Sequence, residues 1–234
     1  MKKEHDMNDR YHSRPRIKIC GLTDPEQAAA CASLGADAVG CVFFPRSPRH
    51  VGVDQARSIS RAVAGQAGVI GVFVDADEQT ICETTERCGL TGVQLHGNES
   101  PELVTRLRKQ GLAVLKALFA VKTPGLDAAG RYEPTAFLVE CGRGVLPGGN
   151  AEAWDWSAAR ELAGTRPLVL AGGLAPDNVA QALAAAEPAG VDVSSGVEDA
   201  PGKKDLNKVA DFIAAVRRCE TPADPAFSPR RIFQ

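Results

Sequence analysis

Cys20 in RIKICGLTD, the turn Phe44-Pro-Arg46, Asp75, His96, Lys116, Glu140, Gly172-Gly173 and Ser194-Ser195-Gly196 each stand where a short apolar run ends. They are polar, reactive or conformationally permissive at positions where a packed core would be apolar. A thiol with a reference pKa near 8.5 becomes a useful base when positive charge or a helix N-terminus draws it toward neutrality. A carboxyl group donates a proton near neutral pH only if burial or a neighbouring negative charge raises its pKa. Glycine pairs let the backbone approach an anion closely, and the N–H groups of a following helix start can point at its oxygens. Each residue also has an ordinary use: a strand-end cysteine as packing, a histidine as a hydrogen-bonded residue, an arginine as a solvated loop charge, glycines as tight turns.

The apolar runs are Ile17–Cys20, Ala38–Phe44, Val69–Val74, Gly92–Leu95, Ala113–Leu118, Ala136–Glu140, Leu168–Ala171 and Val191–Ser194. They are rich in Val, Ile, Leu and Ala with little alternation, the pattern of parallel strands covered on both faces. Amphipathic segments lie between them, with start signals at Asp24-Pro25, Asp54, Asp77, Glu99-Ser100-Pro101, Asp155, Pro176-Asp177 and Asp205. The helical pattern is weakest between Leu118 and Ala136, where Pro124 and Gly125 fall. Eight strand–helix units in about 200 residues predict an α/β chain folded as a single (β/α)8 TIM barrel, whose chemistry sits at the C-terminal strand ends. An open doubly wound sheet is the alternative; no G-x-G-x-x-G follows the first run, which counts against its dinucleotide-binding form. The expected organisation is a disordered lead-in at 1–15, the barrel at 16–218 and a loose tail at 219–234.

The chain has 234 residues, 44% hydrophobic and 24% charged, with a formal net charge of −2. No basic block stands out, so neither nucleic acid nor a membrane surface is the expected partner. No apolar run approaches the ~20 residues of a membrane helix, and the polar N-terminus has no signal-peptide core. Seven cysteines, an odd number with no C-x-x-C pair, predict reduced thiols and a cytoplasmic setting rather than a disulfide framework or a metal site. Gly172-Gly173 after the seventh run and Ser195-Gly196 after the eighth predict a phosphate cradle, in the loop order usual for such barrels.

The segments KICGLTD, GADAVGCVFFPRSPRHV, GVFVD, GVQLHGNES, PGGNAEAWDW, LAGGLAPDNV and VDVSSGVEDAPGKKD together resemble the phosphoribosylanthranilate isomerase family of tryptophan biosynthesis, in order and across nearly the whole barrel. The resemblance implies an Amadori rearrangement of a phosphosugar substrate with no cofactor. A general acid opens the ribose ring to a Schiff base, a general base removes the C2′ proton, and an enolamine tautomerises to the aminodeoxyribulose product. It assigns Cys20 as the base and Arg49 as the holder of the anthranilate carboxylate, with Arg46 near enough to compete. It makes Asp192 a contact to the ribose hydroxyls and lets Gln94 and His96 line the pocket. Glu140 stands where the family carries an acidic aspartate, and is expected to serve as the acid. Gly148-Gly149-Asn150-Ala151 stands where the family has Gly-Gly-Thr/Ser-Gly; Glu152 and Asp155 are the nearby carboxylates, Asp155 being expected to cap a helix. A sister Amadori isomerase of the histidine pathway and a non-catalytic phosphosugar-binding barrel are the competing readings, and either a monomer or a homodimer is compatible with the resemblance.

Overall fold

The structure, a computed structural model, describes residues 12–143, 154–219, 221–222 and 232–233. Eight parallel strands close into a barrel in sequence order: β1 Arg16–Cys20, β2 Ala38–Phe43, β3 Gly68–Phe73, β4 Gly92–Leu95, β5 Ala113–Phe119, β6 Ala136–Glu140, β7 Leu168–Leu170 and β8 Gly190–Val193. The outer layer holds α1 Pro25–Ser33, α2 Val53–Val63, α3 Glu78–Cys88, α4 Pro101–Lys109, α5 Arg160–Ala163, α6 Val179–Ala186 and α7 Leu206–Arg217. Where the helical pattern was weakest the chain forms a 3-10 helix, Leu126–Arg131, instead of an α-helix. A second 3-10 turn, Trp156–Ala159, leads into the four-residue α5. A hairpin of β9 Glu198–Ala200 and β10 Lys203–Lys204 folds over the end of β8.

The helices start where short polar side chains can satisfy their first N–H groups. Asp24 accepts from the Glu26 and Gln27 amides, Asp77 from Thr80, Ser100 from Leu103 and Asp205 from Asn207 and Lys208. Two of the expected start signals work differently. Asp54 lies inside the first turn of α2, where it pairs with Arg57, and Gly52 occupies the cap position. Asp177 precedes α6 by two residues, leaving Asn178 at the cap with no side-chain capping bond to the helix.

Strand periodicity sorts side chains between two cores. Ile17, Ile19, Val39, Val93, Phe137, Val139, Val191 and Val193 face the helices in one large cluster. Ala38, Ile70, Leu115, Ala117, Ala136, Leu138 and Val169 fill the barrel interior in another. Residues in phase with the second set therefore point into the lumen: Lys18 and Cys20 on β1, Gly40 on β2, Gln94 on β4, Glu140 on β6 and Asp192 on β8. Lys116 falls between Leu115 and Ala117 and so points the other way. It is buried against the Glu99 carboxylate at 2.8 Å and the Gly97 carbonyl at 2.7 Å.

The lower mouth of the barrel is occupied by the chain itself. Ile232 and Phe233, within the stretch expected to be a loose tail, are buried and belong to the interior cluster. The Phe233 carbonyl accepts from Thr91 Oγ1 at 3.2 Å. A Cβ on Gly68, at the bottom of β3, would lie 2.6 Å from that same carbonyl oxygen, so the bare glycine leaves room for the tail. His12–Ser13, ahead of β1, pairs antiparallel with Thr221–Pro222, which follows α7. Among the described residues, no helix is long and apolar enough to cross a membrane.

Phe233→Ala is expected to destabilise the fold by about 3–5 kcal/mol, the usual cost of emptying a buried aromatic site. Because Phe233 lies at the end of the barrel away from the strand C-termini, kcat should stay within twofold of wild type. Urea denaturation beside steady-state kinetics checks both halves.

Candidate active site

The C-terminal ends of the strands surround one cleft of about 900 Å³, counted with its open mouth, lined by Cys20, Arg49, His96, Glu140 and Asp192 together with the loops after β7 and β8. The expected site residues are thus brought together, with Gln94, Gly172, Gly173, Ser195 and Gly196 also on its wall. Arg46 is exposed outside it, its guanidinium stacked 4.9 Å from the Phe44 ring centre, so Arg49 is the arginine that faces the cleft. Asp75 is likewise displaced: its carboxylate accepts from the Asn98 amide at 2.6 Å.

Cys20 is 8% exposed, its sulfur at the cleft floor. Burial pushes its thiol above the ordinary value; the Lys18 ammonium beside it pulls the other way, and Asp192 adds to the upward push. The expected drop toward neutrality is therefore not met in the free protein, because desolvation of the thiolate outweighs the Lys18 and Lys204 cations. Lys18, fully buried, donates to Asp192 Oδ1 at 2.9 Å. Burial opposes its charge, but Asp192 and Cys20 more than compensate and hold the ammonium above its ordinary value.

Arg49 is held before any ligand arrives. Its Nε and Nη2 donate to the two Glu198 oxygens at 2.9 and 2.7 Å, a bidentate pair on one edge of the guanidinium. Lys204 Nζ adds a second cation to Glu198 Oε1 at 2.6 Å and also donates to the Ser194 carbonyl. Burial alone would raise the Glu198 pKa, yet Arg49 and Lys204 outweigh it and keep the carboxylate ionised. The remaining Nη1–Nη2 edge of Arg49 is geometrically suited to a second carboxylate. Gly21, with φ +76°, makes the space: a Cβ there would lie 2.5 Å from Arg49 Cδ.

Glu140 ends β6 inside the lumen, with Oε1 3.2 Å from His96 Nε2. Gln94 Nε2 lies 2.7 Å from His96 Nδ1. The two ring nitrogens of His96 are thus engaged on either side, by the Gln94 amide and the Glu140 carboxyl group. The chain Gln94–His96–Glu140 thereby fixes where the carboxyl points. Asp155 is committed elsewhere, accepting from the Ser157 amide at 3.1 Å and hydroxyl at 2.6 Å. Glu152 and the Gly148–Ala151 departure lie outside the described residues.

The loops after β7 and β8 form a second, more polar pole. Gly172 and Gly173 have φ of +84° and +70°, the left-handed region that glycine enters without strain. A 3-10 turn, Ser195–Val197, follows β8. A Cβ on Gly196 would overlap the Leu174 carbonyl oxygen, so the two loops touch through backbone. Among the described residues, the backbone N–H groups of Gly173, Ser195 and Gly196 donate to no backbone carbonyl. Trp154 and Trp156 brace this wall by donating to the Ala171 and Gly172 carbonyls at 3.0 and 3.2 Å.

Three participants were not singled out from the sequence: Lys18, Gly40 and Glu198. Lys18 had a readable signal, since K-I-C places it in phase with Cys20. Glu198 had none, because a hairpin 149 residues away in the chain brings it to Arg49.

Residues 17–215 match the family described as N-(5'phosphoribosyl)anthranilate (PRA) isomerase. An N-(5'-phosphoribosyl)anthranilate isomerase of Desulfatibacillum aliphaticivorans is 51% identical over 218 residues, covering 93% of this chain and 98% of the relative. The crystal structure of the phosphoribosyl anthranilate isomerase of Thermotoga maritima superposes with a TM-score of 0.81 at 36% identity, covering 88% of this chain and all of that one. A phosphoribosyl anthranilate isomerase solved in complex with reduced 1-(o-carboxyphenylamino)-1-deoxyribulose 5-phosphate gives 0.78 at 35% identity, with the same coverage of both chains. With eight strands closed around a cleft that gathers the motif residues of this family, the chain belongs to the N-(5'-phosphoribosyl)anthranilate isomerases, enzymes of tryptophan biosynthesis.

Proposed function

We propose that this isomerase converts N-(5'-phosphoribosyl)anthranilate to 1-(2-carboxyphenylamino)-1-deoxyribulose 5-phosphate with Glu140 as general acid and Cys20 as general base. The observation that carries this reading is the lumen phase shared by the two residues: β1 and β6 each end in an inward-facing proton-transfer group opening on one cleft.

Glu140 gives its proton to the ribose ring oxygen as the C1′–O bond breaks, and the anilino nitrogen lone pair forms the C1′=N bond of the Schiff base. The Cys20 thiolate then takes the C2′ proton. The electrons of that C–H bond form C1′=C2′, and the C1′=N pair returns to nitrogen, giving an enolamine. Proton return to C1′ and loss of the 2′-hydroxyl proton complete the ketone. Asp192 Oδ2 is left for the ribose hydroxyls, since Oδ1 is engaged by Lys18. The free edge of Arg49 takes the anthranilate carboxylate, and the Gly172-Gly173 and Ser195-Gly196 backbone takes the 5′-phosphate at the opposite side of the cleft. Glutamate in place of aspartate adds one methylene of roughly 1.5 Å reach, and the His96 contact, 3.2 Å from Oε1, is what holds that longer arm.

Cys20→Ser is expected to lower kcat by at least ~10²-fold, the low end for loss of a general base. Glu140→Gln should abolish turnover while product-analogue affinity stays within a few fold, and Glu140→Asp should retain measurable activity. Rates followed by the fluorescence of the disappearing substrate decide these. Wild-type-like turnover in Cys20→Ser or Glu140→Gln reassigns that role. Since burial raises the Cys20 pKa and the base acts ionised, kcat/KM should climb with pH through the neutral range on its acid limb.

Arg49→Ala should raise KM for the anthranilate substrate while inorganic phosphate binds as in wild type. Glu198→Gln, which loosens Arg49 without removing it, should move KM the same way by a smaller factor. An equal loss of phosphate affinity would place Arg49 in the phosphate site. For the cradle, Gly196→Val should eliminate binding of a phosphorylated product analogue in calorimetry, because the branched side chain must displace the Leu174 carbonyl; undiminished affinity in the folded variant moves the phosphate elsewhere.

A further inference from the structure

Lys18 is fully buried in the barrel, two residues before Cys20 on the same face of β1. Carrying an ammonium into such a place costs several kcal/mol unless its surroundings compensate, and the reaction as described gives it no task. The other two deeply buried lysines are bound as a structural cation would be. Lys116 donates to the Leu95 and Gly97 carbonyls and to Glu99, and Lys204 to the Ser194 carbonyl and Glu198. Lys18 differs: it donates to the Asp192 carboxylate at 2.9 Å, the Cys20 sulfur lies beside it, and no backbone carbonyl accepts from it among the described residues.

The neighbouring strand is shaped to keep that pair together. Cys20 lies opposite Gly40 in the β1–β2 ladder. A Cβ on Gly40 would stand 2.7 Å from Cys20 Sγ and 3.2 Å from Lys18 Nζ, so the ammonium and the sulfur border one small space that any side chain would close. On the other side, Lys18 lies opposite Asp192 in the β1–β8 ladder. The remaining charged or titratable groups that act on this cluster are Lys204 from the hairpin and Arg49 from the loop after β2, both cationic, and the Cys41 thiol, which burial pushes up to about 12 and so leaves neutral.

We propose that Lys18 is the positioning residue that makes Cys20 a working base: its ammonium stabilises the thiolate across the gap left by Gly40, while Asp192 sets how much of that charge the sulfur receives. This rests on the reading of Cys20 as the base. When the thiolate takes the C2′ proton its charge disappears, the ammonium turns wholly to Asp192, and the site changes charge without any ion having to enter or leave.

The test reads the thiol directly, without substrate. The full-length protein and its Lys18→Met and Asp192→Asn variants are treated with iodoacetamide across a pH series, and alkylation of the Cys20 peptide is followed by mass spectrometry. Loss of an adjacent opposite charge moves a pKa by about one unit or more. Lys18→Met should therefore raise the midpoint and slow Cys20 alkylation at pH ~8 by ~tenfold or more. Asp192→Asn should do the opposite, lowering the midpoint and speeding alkylation. The opposed signs separate this role from a structural one, which would shift both variants alike or neither. An unmoved midpoint in folded Lys18→Met, or a midpoint that is unmoved or raised in Asp192→Asn, overturns the proposal; should Lys18→Met fail to fold, the Asp192→Asn result alone decides by the same criterion. Full turnover in Cys20→Ser would overturn both this proposal and the reading beneath it. An inactive Cys20→Ser with an unmoved Lys18→Met midpoint would overturn this proposal alone.

Discussion

The register of β1 between its two neighbours is the constraint from which the upper half of the barrel follows. Pairing Lys18 with Asp192 on β8 and Cys20 with Gly40 on β2 brings a cation, an anion, a thiol and an absent side chain to one level of the lumen. A slip of one residue would turn Lys18 and Cys20 toward the helices and put Ile17 and Ile19 inside. That alternative buries a lysine with no carboxylate opposite it, so the ion pair that serves the site also enforces the register. Closure of the barrel and assembly of its chemistry are therefore one event, decided where the last strand meets the first.

A second ion network does for the loops what the first does for the strands. Glu198 stands between Arg49 and Lys204, with both cations within 2.9 Å. The arginine proposed to meet the substrate carboxylate is thus fixed by an edge left out of that contact. Ordering a free guanidinium side chain costs up to about 2 kcal/mol of rotamer entropy, and here most of that is met during folding rather than on binding. Gly21 and Gly40 act in the same sense. Neither supplies a functional group, but each leaves a gap of one methyl group into which a neighbour's charged side chain fits.

Much of this was legible in the residue order. Alternation of short Val/Ile-rich runs with capped helices gave the barrel and all eight strands to within a residue or so, because parallel strands buried on both faces have a composition few other elements share. The loop glycines, Cys20 and Glu140 stood at strand ends, where barrel chemistry concentrates, while Arg49 was singled out only by the family resemblance of its motif. What failed to show was phase and distance. Lys116 and Glu140 both looked like strand-end polar residues, yet β5 turns Lys116 toward the helices while β6 turns Glu140 inward. The segment after β5 carries Pro and Gly enough to prevent an α-helix, and only the structure says that a 3-10 turn takes its place. Glu198 is set by a contact between distant segments, which local pattern does not encode.

The burial of the cysteines bears on how this protein meets oxidants. Peroxide, like other electrophiles, attacks the thiolate and scarcely touches the thiol. Cys31 and Cys41 are pushed up to about 11 and 12 by burial, and the Cys20 thiol is also raised. At neutral pH these sulfurs are therefore protonated almost throughout the resting lifetime of the enzyme. On the proposed reading of Cys20 as the base, its thiolate is a minor species of the resting enzyme, present only while the neighbouring cations hold the proton off against burial. The three sulfurs named here, the proposed base among them, are in this way poor targets for oxidants although the chain carries seven cysteines.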